Sequence, residues 1–269
     1  MALFSKLKAL FGGKKEKYII FGEQGGISSC ITLPKGFNPS TDKCRMAILM
    51  HGFMASKRFY PIPNLAQALA DVGIASISFD FNAHGKSQGE FINMTIENEI
   101  SDAKAVLDYV RTLPYVTDVV FVAHSQGGVV ASMLAGRLLK GEQPSCMVLL
   151  APAAVLKDDA LAGTCMGKKY DPVNIPEYVN VMFHKLGREF IQIAQKLPIY
   201  ETACAYQGPV CLIHGKKDTI VPFSYSEKFH QQYAHSELHL LEEEGHFLRS
   251  NKPAVMQLVT QFITATPNS

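Results

Sequence analysis

The chain has 269 residues, of which 47% are hydrophobic and 19% charged, with a net charge of +2 at pH 7. That suits one large α/β domain, or a core with a modest insertion, and gives no reason to expect nucleic acid as a partner. No stretch holds the roughly eighteen uninterrupted apolar residues of a membrane span, so the expected partner is a small molecule.

The N-terminus places Leu3, Phe4, Leu7, Leu10 and Phe11 on one helical face before Gly12 and Gly13. This predicts an amphipathic helix within residues 1–17, docked on its own domain or on a second copy of the chain as a homodimer contact. Basic residues beside the stripe also leave room for weak association with a membrane surface. The segment lacks the long apolar region and cleavage site of a secretion signal, which points to a cytoplasmic protein. Six cysteines without C-x-x-C spacing read as free thiols, with Cys146 and Cys211 inside apolar runs.

Residues 18–21 and 27–33 read as strands joined by a turn at Gly25 and Gly26, and the apolar run 46–50 is a buried strand ending at His51-Gly52. The chain then alternates: a helix over 65–72, a strand over 74–79, a helix over 96–113, a strand at Val119 and a helix after Ser125. Such alternation predicts a parallel sheet with helices on both faces. Another buried strand spans 147–150, and about sixty residues pass before the next at 210–213, far more than an ordinary crossover needs. Residues 152–207 therefore read as an insertion between two parts of a core, 18–151 and 208–269. Gly163, Gly167, Pro172 and Pro176 predict an irregular first half, and 179–197 predicts one or two helices. A helix near 225–233, a strand over 238–241 and a terminal helix over 254–263 complete the pattern.

At Val119-Val120-Phe121-Val122-Ala123-His124-Ser125-Gln126-Gly127-Gly128 the apolar strand breaks at a serine flanked by small residues and turns helical. This is how a nucleophile elbow reads: a sharp turn that requires small residues two before and two after the serine, here Ala123 and Gly127. The pentapeptide arises by chance in roughly one chain in five at average residue usage, so its setting decides. A serine hydroxyl needs a base, and the base needs an acid to orient it. Asp218 follows the strand at 210–213, and His246 follows the strand at 238–241. The order Ser, Asp, His, each after its own strand, is that of the α/β-hydrolases. His124 adjoins Ser125 and is directed away from it, while His235 and His239 lie before or within the last strand.

For the oxyanion of an acyl-transfer intermediate, one donor is expected from the N–H of Gln126 and the other from that of Phe53, in the loop after the strand at 46–50. His51 is expected to brace that loop, and Asp80 to stabilise a turn. No metal-ligand spacing, phosphate loop or dinucleotide fingerprint is present, so neither metal nor cofactor is expected.

From His51 onward the sequence resembles the bacterial cinnamoyl (feruloyl) esterases of the α/β-hydrolase superfamily. The likeness is carried by His51-Gly52-Phe53, Phe79-Asp80-Phe81-Asn82-Ala83-His84-Gly85, the run from Ala123 to Gly136, Leu149-Leu150-Ala151-Pro152-Ala153-Ala154, and Leu197-Pro198-Ile199-Tyr200-Glu201. The resemblance implies an α/β-hydrolase fold with a mostly parallel eight-stranded sheet, and the insertion as a small cap over the acyl group. It implies a serine esterase acting on esters of hydroxycinnamic acids with sugars or small alcohols. It also implies that Asp159, with Asp158 beside it, meets the phenolic hydroxyl, and that Phe190 stands where related esterases carry a tyrosine. Two other readings stay open: a monoacylglycerol lipase or lysophospholipase, and a non-catalytic hydrolase-fold protein that only binds a ligand.

Overall fold

The computed structural model describes residues 7–8 and 15–267. Along β4 (Cys44–Met50), β6 (Val116–His124), β7 (Met147–Leu150) and β12 (Val210–Gly215), successive side chains point to opposite faces of one sheet. Met46, Ile48, Phe121, Met147 and Leu212 enter the larger core, whereas Ala47, Leu49, Val122, Val148 and Ile213 enter the smaller. Because both faces are covered, these strands read as continuous apolar runs rather than alternating ones. The larger core is roofed by α2 (Ile96–Arg111) and α3 (Gln126–Arg137), with Phe229 of α7 (Ser224–Gln232) added, and the smaller by α1 (Ile62–Asp71) and α8 (Lys252–Ala265).

With β2 (Lys15–Gly22), β3 (Gly25–Thr32), β5 (Ala75–Phe79), β13 (Ser236–Leu241) and the two-residue β1 (Leu7–Lys8), the sheet runs in the order β1-β2-β3-β5-β4-β6-β7-β12-β13. The six strands from β5 to β13 are mutually parallel, and β1, β2 and β3 add antiparallel edge pairings. Apart from β1 this is the mostly parallel eight-stranded sheet expected. The amphipathic helix expected before it is not formed where it is described: Leu7 and Lys8 pair with Lys17 and Glu16 as a strand. Residues 1–6 and 9–14 of that expectation lie outside the described residues, and β2 begins inside the segment assigned to it.

Between β7 and β12 lie α4 (Val155–Ala162), a short ribbon of β8 (Thr164–Cys165) and β9 (Lys168–Lys169), a hairpin of β10 (Tyr178–Val181) and β11 (His184–Gly187), then α5 (Arg188–Ala194) and α6 (Ile199–Ala203). Two expectations are corrected here. The first half is not irregular throughout, since α4 forms and Gly163, at φ 69°, closes it in the left-handed region. Of the one or two helices expected over 179–197, α5 forms, but residues 178–187 are a hairpin rather than helix, because Val179 and Val181 alternate inward with exposed Asn180 between them.

Gly136 marks where α3 meets α6: a Cβ built there would lie 2.0 Å from the Thr202 carbonyl oxygen. The obstacle is backbone, so the helices would have to separate. Gly136→Ala is expected to lower stability by about 1–3 kcal/mol despite alanine's better helix propensity, read as a lower midpoint in urea unfolding.

Candidate active site

Ser125 follows β6 with φ 58° and ψ −124°, a conformation that a residue other than glycine adopts only when its surroundings impose it. The imposition is visible in its neighbours. A Cβ on Gly52 would lie 2.8 Å from the Ser125 Cβ, one on Gly127 would lie 2.4 Å from the His51 carbonyl oxygen, and one on Gly128 would lie 2.9 Å from the Pro152 Cβ. The turn is wedged between the loop after β4 and the segment after β7, and glycine at those positions lets the chains close.

The carboxyl ends of β6, β12 and β13 share one end of the sheet, which brings together three residues far apart in sequence. His246 Nε2 is 3.0 Å from Ser125 Oγ, and His246 Nδ1 is 2.8 Å from Asp218 Oδ2; all three residues are buried. A hydroxyl in this geometry can hand its proton to the imidazole, whose tautomer the carboxylate fixes. Asp218 is held from both sides. Its Oδ1 accepts the backbone N–H groups of Ile220 and Val221 at 2.8 Å each, and its Oδ2 also accepts from His214 Nε2 at 3.1 Å. Burial alone would raise its pKa, but the hydrogen bonds from His214 and His246 outweigh it and hold the carboxyl well below the usual range.

Three other histidines near the serine act as braces. His51 Nε2 accepts the N–H of Phe81 at 3.1 Å, and its Nδ1 donates to the Gly52 carbonyl at 2.8 Å. His84 Nε2 accepts the N–H of Met54 at 3.2 Å, and His124 Nε2 donates to the carbonyl of His246 at 2.9 Å. Burial pushes His51 and His124 down to about 3 and lowers His84 as well, so all three stay neutral. Asp80 accepts from the backbone N–H of Lys57 and Lys86 and pairs with the Lys57 ammonium.

Phe53, Gln126, Asp159 and Phe190 line one cavity with Ser125, of about 340 Å³. The N–H of Met54 is taken by His84, and Phe53, the residue before it, lines the cavity with the serine. The Phe53 and Phe190 rings approach to 5.9 Å. Asp159 is half-buried, and burial first, then Asp158, raises its pKa. Asp158 itself is turned away, accepting the Tyr225 hydroxyl at 2.6 Å.

Sequence reasoning missed two residues of the site and a second feature of a third. His214, at the carboxyl end of β12 and four residues before Asp218, was signalled only by its place after a buried strand. Tyr170 lines the same cavity as Asp159, its hydroxyl 3.4 Å from the Thr164 carbonyl, but no motif marks it. Gln126 carries a second feature, a side-chain bond to buried Glu99. Among the described residues, the one cluster close enough to hold a metal is Cys211, Glu237 and His239, and none of these lines the cavity. Among the described residues, which include all six cysteines, no disulfide forms and no helix is long and apolar enough to cross a membrane.

The family described as serine aminopeptidase, S33, matches residues 41–172, which include Ser125 but not Asp218 or His246. Among solved structures the chain is similar to Est1E from Butyrivibrio proteoclasticus. For the structure with ferulic acid bound, identity is 28% and the TM-score 0.87, over 92% of this chain and 98% of that one. A second structure of Est1E gives 25% identity and a TM-score of 0.83 over 93% and 98%. Among curated sequences the chain is similar to a monoacylglycerol lipase of Mycolicibacterium smegmatis, at 23% identity over 85% of this chain and 90% of that protein.

Proposed function

We propose that this chain, a serine esterase of the α/β-hydrolase fold, hydrolyses hydroxycinnamoyl esters of the feruloyl type by acyl transfer through Ser125. His246, oriented by Asp218, takes the proton of Ser125 as the oxygen attacks the ester carbonyl. The oxyanion is met by the N–H groups of Phe53 and Gln126. His246 then protonates the departing alcohol, and water, activated by the same imidazole, frees the acid.

One observation carries the choice of substrate: Ser125 and Asp159 line the same largely apolar cavity. Aromatic side chains from Phe53, Phe190 and Tyr170 form part of its wall, which suits a flat aryl acid. At about 340 Å³ it is near the small end of ligand pockets, so a short acyl group fits better than a long chain. Asp159 supplies an acceptor for a ring hydroxyl, and Tyr170 supplies a phenol where Phe190 cannot. Burial pushes the Tyr170 hydroxyl up to about 12, so it stays a donor. Asp159→Ala is expected to lower kcat/KM for methyl ferulate about tenfold, the worth of one hydrogen bond to a charged acceptor, while sparing methyl cinnamate, which has no ring hydroxyl. Equal losses on both esters would remove Asp159 from the reading.

A monoacylglycerol substrate is the second reading, favoured by the tip of the β10–β11 hairpin. There Met182 is 65% and Phe183 93% exposed, a small apolar point beside Lys185. Turnover of methyl ferulate against that of a monoacylglycerol separates the two. Faster hydrolysis of the glyceride, lost on deleting residues 1–13, would favour the second. Failure of a fluorophosphonate to label Ser125 would instead point to a protein that binds without catalysis.

A further inference from the structure

Two acids on α2 that no step of the acyl transfer uses lie beneath the oxyanion loop. Thr95 caps this helix, its Oγ1 accepting the N–H of Asn98 at 3.1 Å, and so fixes which side chains of the first turns face inward. Glu99 and Asp102, one turn apart, are 1% and 0% exposed.

Each reaches one side of the oxyanion site. Glu99 Oε2 accepts the side-chain amide of Gln126 at 2.8 Å. Asp102 Oδ2 accepts both the backbone N–H of Asn82, at 2.6 Å, and its side-chain amide, at 3.0 Å. From there the Asn82 carbonyl accepts His84 Nδ1 at 2.9 Å, and His84 Nε2 accepts the N–H of Met54, which follows Phe53. The two carboxyls thus brace Gln126 directly and the Phe53 loop through His84. Glu99 Oε1 stands 3.9 Å from His84 Nδ1 and is buried without a hydrogen-bond partner.

We propose that Glu99 is a positioning residue for the oxyanion site, tethering the side chain of Gln126 so that its backbone N–H stays aimed at the developing charge. This rests on the esterase reading above. Glu99 works as an uncharged acid. Its one ion-pair-distance neighbour among the described residues is His84, kept neutral by burial, and a carboxylate there would be a buried charge with no opposite charge beside it. Burial pushes the Glu99 carboxyl up to about 8, with Asp102 adding to it and the Gln126 hydrogen bond opposing. The groups facing it are Asp102 on its own helix, Gln126 from α3, and His84 from the loop after β5, the last itself near His184 of the hairpin. As pH rises past about 8, Glu99 ionises and places a negative charge behind the oxyanion, which opposes the same sign of charge forming in the transition state.

The test is the pH profile of kcat and KM for p-nitrophenyl butyrate with the wild-type chain, Glu99→Ala and Glu99→Gln, alongside Tm for each. Glu99→Ala is expected to lower kcat by up to about 10²-fold, the effect of a small misplacement, with KM little changed. Glu99→Gln, which keeps an acceptor for Gln126 without a charge, is expected to restore kcat at neutral pH and to abolish the alkaline decline of the wild type. If Glu99→Ala fails to fold, the Glu99→Gln profile still decides. An alkaline decline retained in Glu99→Gln, or a full kcat in folded Glu99→Ala, would overturn the proposal while leaving the esterase intact. A wild-type chain that neither hydrolyses the ester nor takes up a fluorophosphonate overturns the esterase reading, and this inference with it.

Discussion

Ser125→Ala is expected to lower turnover of the best ester substrate by about 10⁶-fold, with the fold unchanged. The magnitude follows from what is lost and what remains. Without Oγ no acyl-enzyme forms and the imidazole has no hydroxyl to activate. The backbone donors and the binding cavity survive, which leaves a residual rate about 10³- to 10⁴-fold above that in water. Alanine keeps the Cβ that packs near Gly52, and the backbone conformation at φ 58° is no harder for alanine than for serine. Tm should therefore stay close to that of the parent, and fluorophosphonate labelling should vanish. A variant that folds and keeps a hundredth of the parent activity would show that another residue is the nucleophile.

Asp218→Asn is expected to lower kcat by about 10⁴-fold, because this carboxylate has no place for an amide N–H. Oδ1 accepts two backbone N–H groups and Oδ2 accepts from two histidines. An amide turned one way sets its NH₂ against the N–H groups of Ile220 and Val221. Turned the other way, it meets His246 Nδ1–H and drives the imidazole to the tautomer with its proton on Nε2, facing Ser125, where it can no longer accept one. Stability should fall as well, with a definite sign in pH. The native carboxyl is depressed below its unfolded value, so its contribution is present above the usual carboxylate range and is lost as pH falls through the folded value. The gap in Tm between parent and Asp218→Asn should therefore narrow on acidification, measured by thermal unfolding across pH. A gap that widened toward acid would contradict the depressed pKa.

How far a sequence discloses such a site depends on which part is local. The strands 46–50, 147–150 and 210–213 were legible because burial on both faces leaves uninterrupted apolar runs, and the serine turn because its geometry demands small residues at fixed offsets. Ser125, Asp218 and His246 followed from order along the chain, since parallel strands put their carboxyl ends together. What was illegible depends on contacts distant in sequence. Glu99 reads as an ordinary polar residue of a helix until α3 is packed over it, and Tyr170 gains its place only when the β8–β9 ribbon folds over α4. The β10–β11 hairpin was misread for a different reason: four residues of alternation, Tyr178 to Val181, are too few to separate a strand from one turn of helix.

The segment between β7 and β12 has a consequence for how such a chain diversifies. The two strands that bracket it are hydrogen-bonded neighbours whatever lies between them, with Val210 opposite Met147 and Ile213 opposite Leu150. The sheet thus sets no length for the intervening chain, and each doubling of a flexible connection adds only about 0.6 kcal/mol of closure entropy. Ser125, Asp218 and His246 all lie outside it, whereas Asp159, Tyr170 and Phe190 all lie within. Under the proposed function, substrate range can drift by insertion, deletion or wholesale exchange of this one stretch while the proposed acyl-transfer residues are inherited intact, so chimaeras joined at its two ends are a route to new specificities on this scaffold.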